Sequence, residues 1–152
     1  MSEFRFRLQK VLELRERLAN ESATRLAAAR TEADRAMSLM KELEQARARG
    51  VEKAGETMNG NTSAGELQRI ALLIEQLDEH LEAAETAHRE AGEKVTDLAG
   101  AFERAFTERQ VIERLRERKL ADWRETEGRA DQATMDAVAL TRHTRRTNEG
   151  TT

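Results

Sequence analysis

The sequence lacks several residue types, and each absence excludes a class of structure or chemistry. It has no cysteine, which excludes disulfides, thiolate catalysis and thiolate metal sites. It has no proline to interrupt a helix, no tyrosine, and only 3% aromatic residues to fill a compact core. Its longest strongly apolar run, residues 70–74, is far shorter than the about 20 residues that span a bilayer. With no apolar signal segment at residues 1–7, we expect a soluble, intracellular chain.

The residues that are abundant favour long helices. Charged residues make up 36% of the 152 residues, and there are 24 alanines and 21 arginines. This mixture is typical of a coiled coil. The net charge is −3 with both signs interleaved, which does not indicate a nucleic-acid binder. Long paired helices offer little concave interior, so we expect neither an enzyme nor a small-molecule substrate.

One glycine-rich stretch divides the chain into two helical segments. Four of the eight glycines, at positions 50, 55, 60 and 65, fall in it. Ser63 and Glu66 then have the spacing of a capping box, which marks the start of a helix. We predict a single all-α domain over residues 1–140, followed by a disordered polar tail at 141–152. The domain comprises a helix at about 4–55, a loop at about 56–65 and a helix at about 66–140.

The second segment carries a strict apolar repeat whose spacings alternate three and four. Such a repeat is typical of a left-handed coiled coil. This predicted α2 seam consists of Leu67, Ile70, Ile74, Leu77, Leu81, Ala84, His88, Ala91, Val95, Leu98, Phe102 and Ala105. The repeat of the first segment is looser and loses strict alternation around Ser22. Its predicted α1 seam consists of Phe4, Leu8, Val11, Arg15, Leu18, Ser22, Leu26, Ala29, Ala33, Met37, Met40 and Leu43.

Two such segments joined by a short loop favour an antiparallel two-helix hairpin, monomeric when free. Folding about Gly60 places Leu43 near Leu77 and Phe4 near Arg118. A parallel homodimer is the structural alternative, because the same repeats would also pair between two chains.

No constellation for catalysis, metal or cofactor binding is evident. The sequence has no phosphate-binding glycine motif and no nucleophile–base arrangement. His80 and His88 are eight residues apart, which is not the spacing of a helical zinc site. The simpler interpretation of His88 is a tolerated polar residue on the seam. We therefore expect no cofactor and no metal.

Charge and aromatic residues are unevenly distributed. In the hairpin, basic residues around Arg5 and Arg118 meet at the open end, and Phe4, Phe6 and Trp123 lie at or near it. An acidic stretch at 75–85 lies near the loop. These charges are either solvated faces or surfaces for different partners. Exposed aromatic and arginine side chains are frequent interface anchors.

Two stretches resemble a known family. Residues 4–16 (FRFRLQKVLELRE) and 114–124 (RLRERKLADWR), together with the length and the central break, are similar to FliJ, the coiled-coil protein of the flagellar type III export apparatus. The resemblance implies a non-enzymatic, stalk-like hairpin that inserts its open end into the hexameric export ATPase. It also implies contacts with the membrane export gate and with export chaperones.

The resemblance places the protein in the cytoplasm, peripheral to the inner membrane at the flagellar base. The residues expected to face the ATPase are Phe4, Phe6, Leu8, Val11, Arg116, Lys119 and Trp123. For the gate, the helix faces at 37–43 and 75–85 are the candidate surfaces. Two alternatives remain open at this point: the equivalent stalk protein of a virulence secretion system, and a generic coiled-coil tether or scaffold.

Overall fold

The computed structural model describes residues 3–60 and 63–150, apart from the side chain of residue 149. It contains two long helices, α1 (Gln9–Met58) and α2 (Ala64–Glu149). No residue in the described ranges belongs to a strand. The predicted fold class, an all-α helical hairpin, is confirmed. The chain forms two compact units, one from residues 3–17 with 106–150 and one from Leu18–Ala105.

Within Leu18–Ala105 the two helices run antiparallel. Lys94 Nζ lies 3.0 Å from Glu32 Oε2, and Arg47 pairs with Asp78. The two residue numbers in each pair average about 63, so the register of the two helices is centred slightly beyond Gly60. The predicted neighbours Leu43 and Leu77 are consequently displaced from each other by about one and a half helical turns.

The α2 side of this packing coincides with the strict repeat in the sequence. Every one of the twelve positions from Leu67 to Ala105 is buried or partly shielded, and Ala84 is the most buried of them. Leu72 and Leu73, which lie off the repeat, are half exposed. A seven-residue repeat keeps its apolar stripe on one side of a supercoiled helix, which accounts for this division.

The α1 side departs from the predicted seam at two positions between residues 18 and 43. The positions that the prediction and the structure share there are Ser22, Leu26, Ala29, Ala33, Met40 and Leu43. Leu18 and Met37 were expected on the seam, yet they are 39% and 41% exposed, whereas their neighbours Ala19 and Ala36 are shielded. One series of shielded positions, with Ala23 and Ala46 shielded beside it, alternates three and four without the expected break near Ser22. The positions of this series are Ala19, Ser22, Leu26, Ala29, Ala33, Ala36, Met40, Leu43, Arg47, Gly50, Ala54 and Thr57.

Small side chains explain this register, because they let two helices approach closely. Among the described residues, the buried apolar side chains are Leu12, Ala19, Leu26, Ala29 and Ala84. At Gly50, an added Cβ would lie 3.3 Å from Ile74 Cγ1. The core is therefore a narrow seam in which alanine and glycine set the spacing, while leucine supplies most of the apolar area.

The helix boundaries differ from the predicted ones on both sides of the break. α1 continues through Gly50 and Gly55 to Met58, because glycine weakens a helix without ending it. α2 begins at Ala64, and Ser63 Oγ accepts a 3.4 Å hydrogen bond from the Glu66 amide, as the capping pattern predicts. Asn61 and Thr62 of the predicted loop lie outside the described residues.

At its other end α2 continues to Glu149, where the sequence analysis expected a helix end near Leu140 and a disordered tail. No proline or glycine interrupts residues 129–149. Thr141 and Thr144 bond back to carbonyls one turn earlier, at Ala137 and Leu140. Extending an existing helix costs little compared with nucleating one. Thr151 and Thr152 of the expected tail lie outside the described residues.

Candidate functional site

Residues Glu3–Phe6, where a helix from Phe4 was expected, belong to no helix or strand and precede α1; we call them the extended segment. The sequence here alternates charged and apolar residues with period two, which suits extended backbone and not a helix. Exposure follows the same alternation. Phe4, Phe6 and Leu8 are partly shielded, whereas the residues between them are exposed. The extended backbone thereby turns both phenylalanines to one side, which a helix could not do.

The segment is joined to α1 by backbone hydrogen bonds. The Gln9 amide donates to the Phe6 carbonyl at 3.1 Å, and the Leu12 amide donates to the Leu8 carbonyl at 2.9 Å. Leu12, on the first turn and a half of the helix, is 5% exposed. This buried leucine fixes the start of α1. The backbone hydrogen bond from Gln9 to Phe6 then fixes the extended segment relative to that helix.

Aromatic contacts hold the segment against α2. The rings of Phe4 and Trp123 are tilted by 54° with their centroids 5.9 Å apart. The guanidinium carbon of Arg116 lies 6.0 Å from the Phe4 centroid. Aromatic pairs of this kind contribute about 0.5–1.5 kcal/mol beyond their buried area, and an exposed cation–π contact about 0.5–1 kcal/mol.

A groove of about 700 Å³ opens between the extended segment and α2. It is lined by Glu3, Phe4, Arg5, Phe6, Arg7, Leu8, Leu115, Lys119 and Trp123. We call it the aromatic–basic groove. A second groove of about 390 Å³ shares Phe4, Arg5 and Phe6 with it and is completed by Gln9 and Arg116. The extended segment thus lines two adjoining concave surfaces.

The cations that line these grooves form no ion pair with a described carboxylate. Within residues 3–60 and 63–150, no carboxylate pairs with Arg5, Arg7, Arg116 or Lys119. The Nε of Arg116 is also buried without a hydrogen-bond partner in that part of the chain. Farther along the same unit, by contrast, Arg15 pairs with Glu108 at 2.5 Å. The groove therefore combines apolar walls with positive charge that is available to a ligand.

Most of the residues expected to face a partner come together here. Phe4, Phe6, Leu8, Lys119 and Trp123 line the aromatic–basic groove, and Arg116 lines the adjoining one. Val11 lines neither groove and is 37% exposed on α1.

Sequence reasoning did not select Leu115 as a groove residue. The spacing in the sequence could have identified it, because Leu115, Lys119 and Trp123 are four residues apart and therefore share one face of α2.

The histidines and carboxylates offer no second site. In the described ranges, no group of three or more histidine, aspartate and glutamate side chains has the geometry of a metal site. His80 is exposed, and His88 is partly shielded with its Nδ1 buried and unbonded within the described protein. Across the same ranges, neither helix holds a stretch apolar and long enough to cross a bilayer.

These features define a class: a two-helix, coiled-coil-like protein with an aromatic and basic groove beside its N-terminal segment. Residues 4–148 match the sequence profile of the flagellar FliJ protein family. The chain belongs to this family, and the predicted resemblance is confirmed. It is accordingly a component of the flagellar export apparatus, associated with the export machinery. No curated protein and no solved structure gives a significant match.

Proposed function

We propose that this protein is a stalk-like component that inserts its aromatic–basic groove end into the hexameric flagellar export ATPase. In this role it promotes assembly and activity of the ATPase. The observation that carries the proposal is the groove itself, which presents Phe6, Lys119 and Trp123 together on one concave surface. Partly exposed aromatic side chains with arginines beside them are the residues that contribute most to protein–protein affinity.

The end of α2 supports the same proposal. From residue 128 onward, every described side chain is exposed, including Met135 and Leu140 at 68% and 67%. A helix whose apolar residues all face water contributes little to the fold of its own chain. This part of α2 is therefore available to a partner that surrounds it, such as a ring-shaped ATPase whose pore encloses the helix.

We also propose that the protein links the ATPase to the membrane export gate and to export chaperones. Of the two helix faces suggested for the gate, residues 37–43 expose Met37 and Leu39, the latter at 50%. These side chains lie off the seam, so a partner can bind them without opening the helix pair. The location that follows is cytoplasmic, peripheral to the inner membrane at the flagellar base.

The experiment compares two double variants of the chain. Phe6→Ala with Trp123→Ala removes one aromatic side chain from each wall of the groove. Leu14→Ala with Val111→Ala is the matched control. It truncates two exposed apolar side chains of the same unit, 47% and 58% exposed, that do not line the groove. Each protein is tested for binding to the purified export ATPase of the same organism and for its effect on the rate of ATP hydrolysis.

The groove variant should keep most of its helical circular dichroism and fail to stimulate the ATPase. Truncating an interface anchor commonly costs about 2 kcal/mol or more, which is over tenfold in affinity. The control should bind and stimulate like the parent chain. If the groove variant also stimulates the enzyme like the parent chain, the groove is not the ATPase contact.

A further inference from the structure

The aromatic–basic groove has two kinds of surface, and each selects for a feature of its ligand. Its walls are apolar, formed by Phe4, Phe6 and Leu8 on one side and by Leu115 and Trp123 on the other. A volume of about 700 Å³ accommodates a few side chains of a peptide and not a whole helix pair. The walls therefore favour one or two large apolar side chains.

The rim of the groove selects for negative charge. Arg5, Arg7 and Lys119 line it together with a single carboxylate, Glu3. Arg5 and Arg7 alternate with the phenylalanines in sequence, line the same groove and are exposed, so their charged ends lie at its solvent edge. A bound apolar side chain would therefore lie near cations that form no ion pair with a described carboxylate.

Arg116 adds a second, independent indication. Its guanidinium lies beside the Phe4 ring, and its Nε is buried without a hydrogen-bond partner among the described residues. A buried donor left unsatisfied is unfavourable. An acceptor oxygen supplied by a ligand in the adjoining groove would remove that cost.

We propose that the aromatic–basic groove binds an acidic peptide segment of a partner protein, in which one or two large apolar residues are flanked by carboxylates. The proposal rests on the proposed function, since the export ATPase is the partner expected to present this segment. The apolar side chains fill the space between Phe6 and Trp123. The flanking carboxylates pair with Arg5, Arg7 and Lys119, and arginine can hold a carboxylate through two parallel hydrogen bonds.

The geometry favours this ligand over an anionic lipid surface. A membrane binds an apolar helix face that projects outward, whereas Phe4, Phe6 and Trp123 are partly shielded in a concave surface. A segment that enters the groove can reach these rings, but a flat surface cannot do so without moving the extended segment.

Tryptophan fluorescence gives a direct measurement, because Trp123 is the only tryptophan in the chain and lines the groove. The probe is a synthetic hexapeptide with a central leucine–phenylalanine pair and two acidic residues on each side. One control peptide replaces the acidic residues by lysine, and another replaces the apolar pair by serine. Vesicles containing phosphatidylserine test the lipid alternative.

We expect a saturable change in fluorescence with the acidic apolar peptide only, and weaker binding as salt is raised. Lys119→Glu should weaken binding about fivefold or more, because the lysine on the rim becomes a like charge. Arg118→Glu is the matched control, since Arg118 is exposed on α2 but does not line the groove. It should change binding by less than about twofold.

Several outcomes would overturn the proposal: equal binding of the lysine peptide, equal effects of the two charge reversals, a comparable response to the vesicles, or no saturable change up to millimolar peptide. The ATPase assay of the Phe6 and Trp123 variant distinguishes these failures from failure of the proposed function. If the peptide fails while that variant still loses stimulation, the groove contacts the ATPase through a segment of other chemistry. If the peptide binds while stimulation is unaffected, the groove serves a different acidic partner.

Discussion

Leu26→Ala tests whether Leu26 is buried on the α1 seam, a position that the sequence repeat and the structure share. Leu26 is 5% exposed and lies between alanine positions on a narrow seam. The substitution removes three carbon atoms from a buried position. At about 0.8 kcal/mol for each buried methylene, the lost transfer free energy is about 2.4 kcal/mol. We expect the total to stay near that value, at the low end of the about 2–5 kcal/mol seen for buried leucines, because a thin seam can partly close around the space.

Leu39→Ala is the matched control on the same helix and in the same unit. Leu39 is 50% exposed, so only about half of the transfer term applies, or about 1.2 kcal/mol. No enclosed cavity forms at a half-exposed position, and alanine gains a few tenths of a kcal/mol in helix propensity. The net loss should be about 1 kcal/mol or less.

Urea unfolding followed by helical circular dichroism measures both variants against the parent chain. The free energy of unfolding should fall by at least about 1 kcal/mol more for Leu26→Ala than for Leu39→Ala, with an unchanged dependence on urea. For a chain of this length the melting temperature should fall by about 5–10 °C for Leu26→Ala. Equal losses in the two variants would mean that Leu26 is not on the seam and that the α1 register is wrong.

Two further predictions concern glycines and the end of α2. Gly55→Ala should stabilise the protein by about 0.5–1 kcal/mol through helix propensity, because an added Cβ has no described neighbour within 4 Å outside its own helix. Gly50→Ala should gain less in the same unfolding assay, since its Cβ would press on Ile74 at 3.3 Å. Removal of residues 141–152 should leave the melting temperature unchanged and reduce the total helical circular dichroism. An unchanged helical signal would instead support a disordered tail.

The α2 seam could be predicted from the sequence because its repeat is strict and consists almost entirely of apolar residues. Parts of the α1 seam could not, because pairs such as Leu18 and Ala19 offer two apolar residues side by side. Hydrophobicity favours the larger one, but packing between closely spaced helices favours the smaller. Which preference prevails depends on the distance between the helices, and a single sequence does not specify that distance.

The groove was predictable in its composition and not in its geometry. The aromatic and basic residues were recognised as interface anchors, and six of the seven expected partner-facing residues line one of the two grooves. Their arrangement depends on extended backbone at Glu3–Phe6, whereas the sequence analysis continued the helix through this segment. The family resemblance included Val11, which lies on α1 outside both grooves, and it did not include Leu115, whose four-residue spacing to Lys119 and Trp123 places it on the groove face of α2.

The departure from the helical pattern at residues 3–8 is itself an argument for function. Elsewhere the chain builds its seam largely from alanine and leucine, and it has only four phenylalanines and one tryptophan. Two of those phenylalanines and the tryptophan surround one groove, where each remains partly exposed. Aromatic side chains can bury a large apolar area. The same rings placed on the seam would stabilise the fold more than they do when partly exposed to water. A binding partner that covers these rings recovers that free energy, and the unpaired cations beside them restrict which partner can do so.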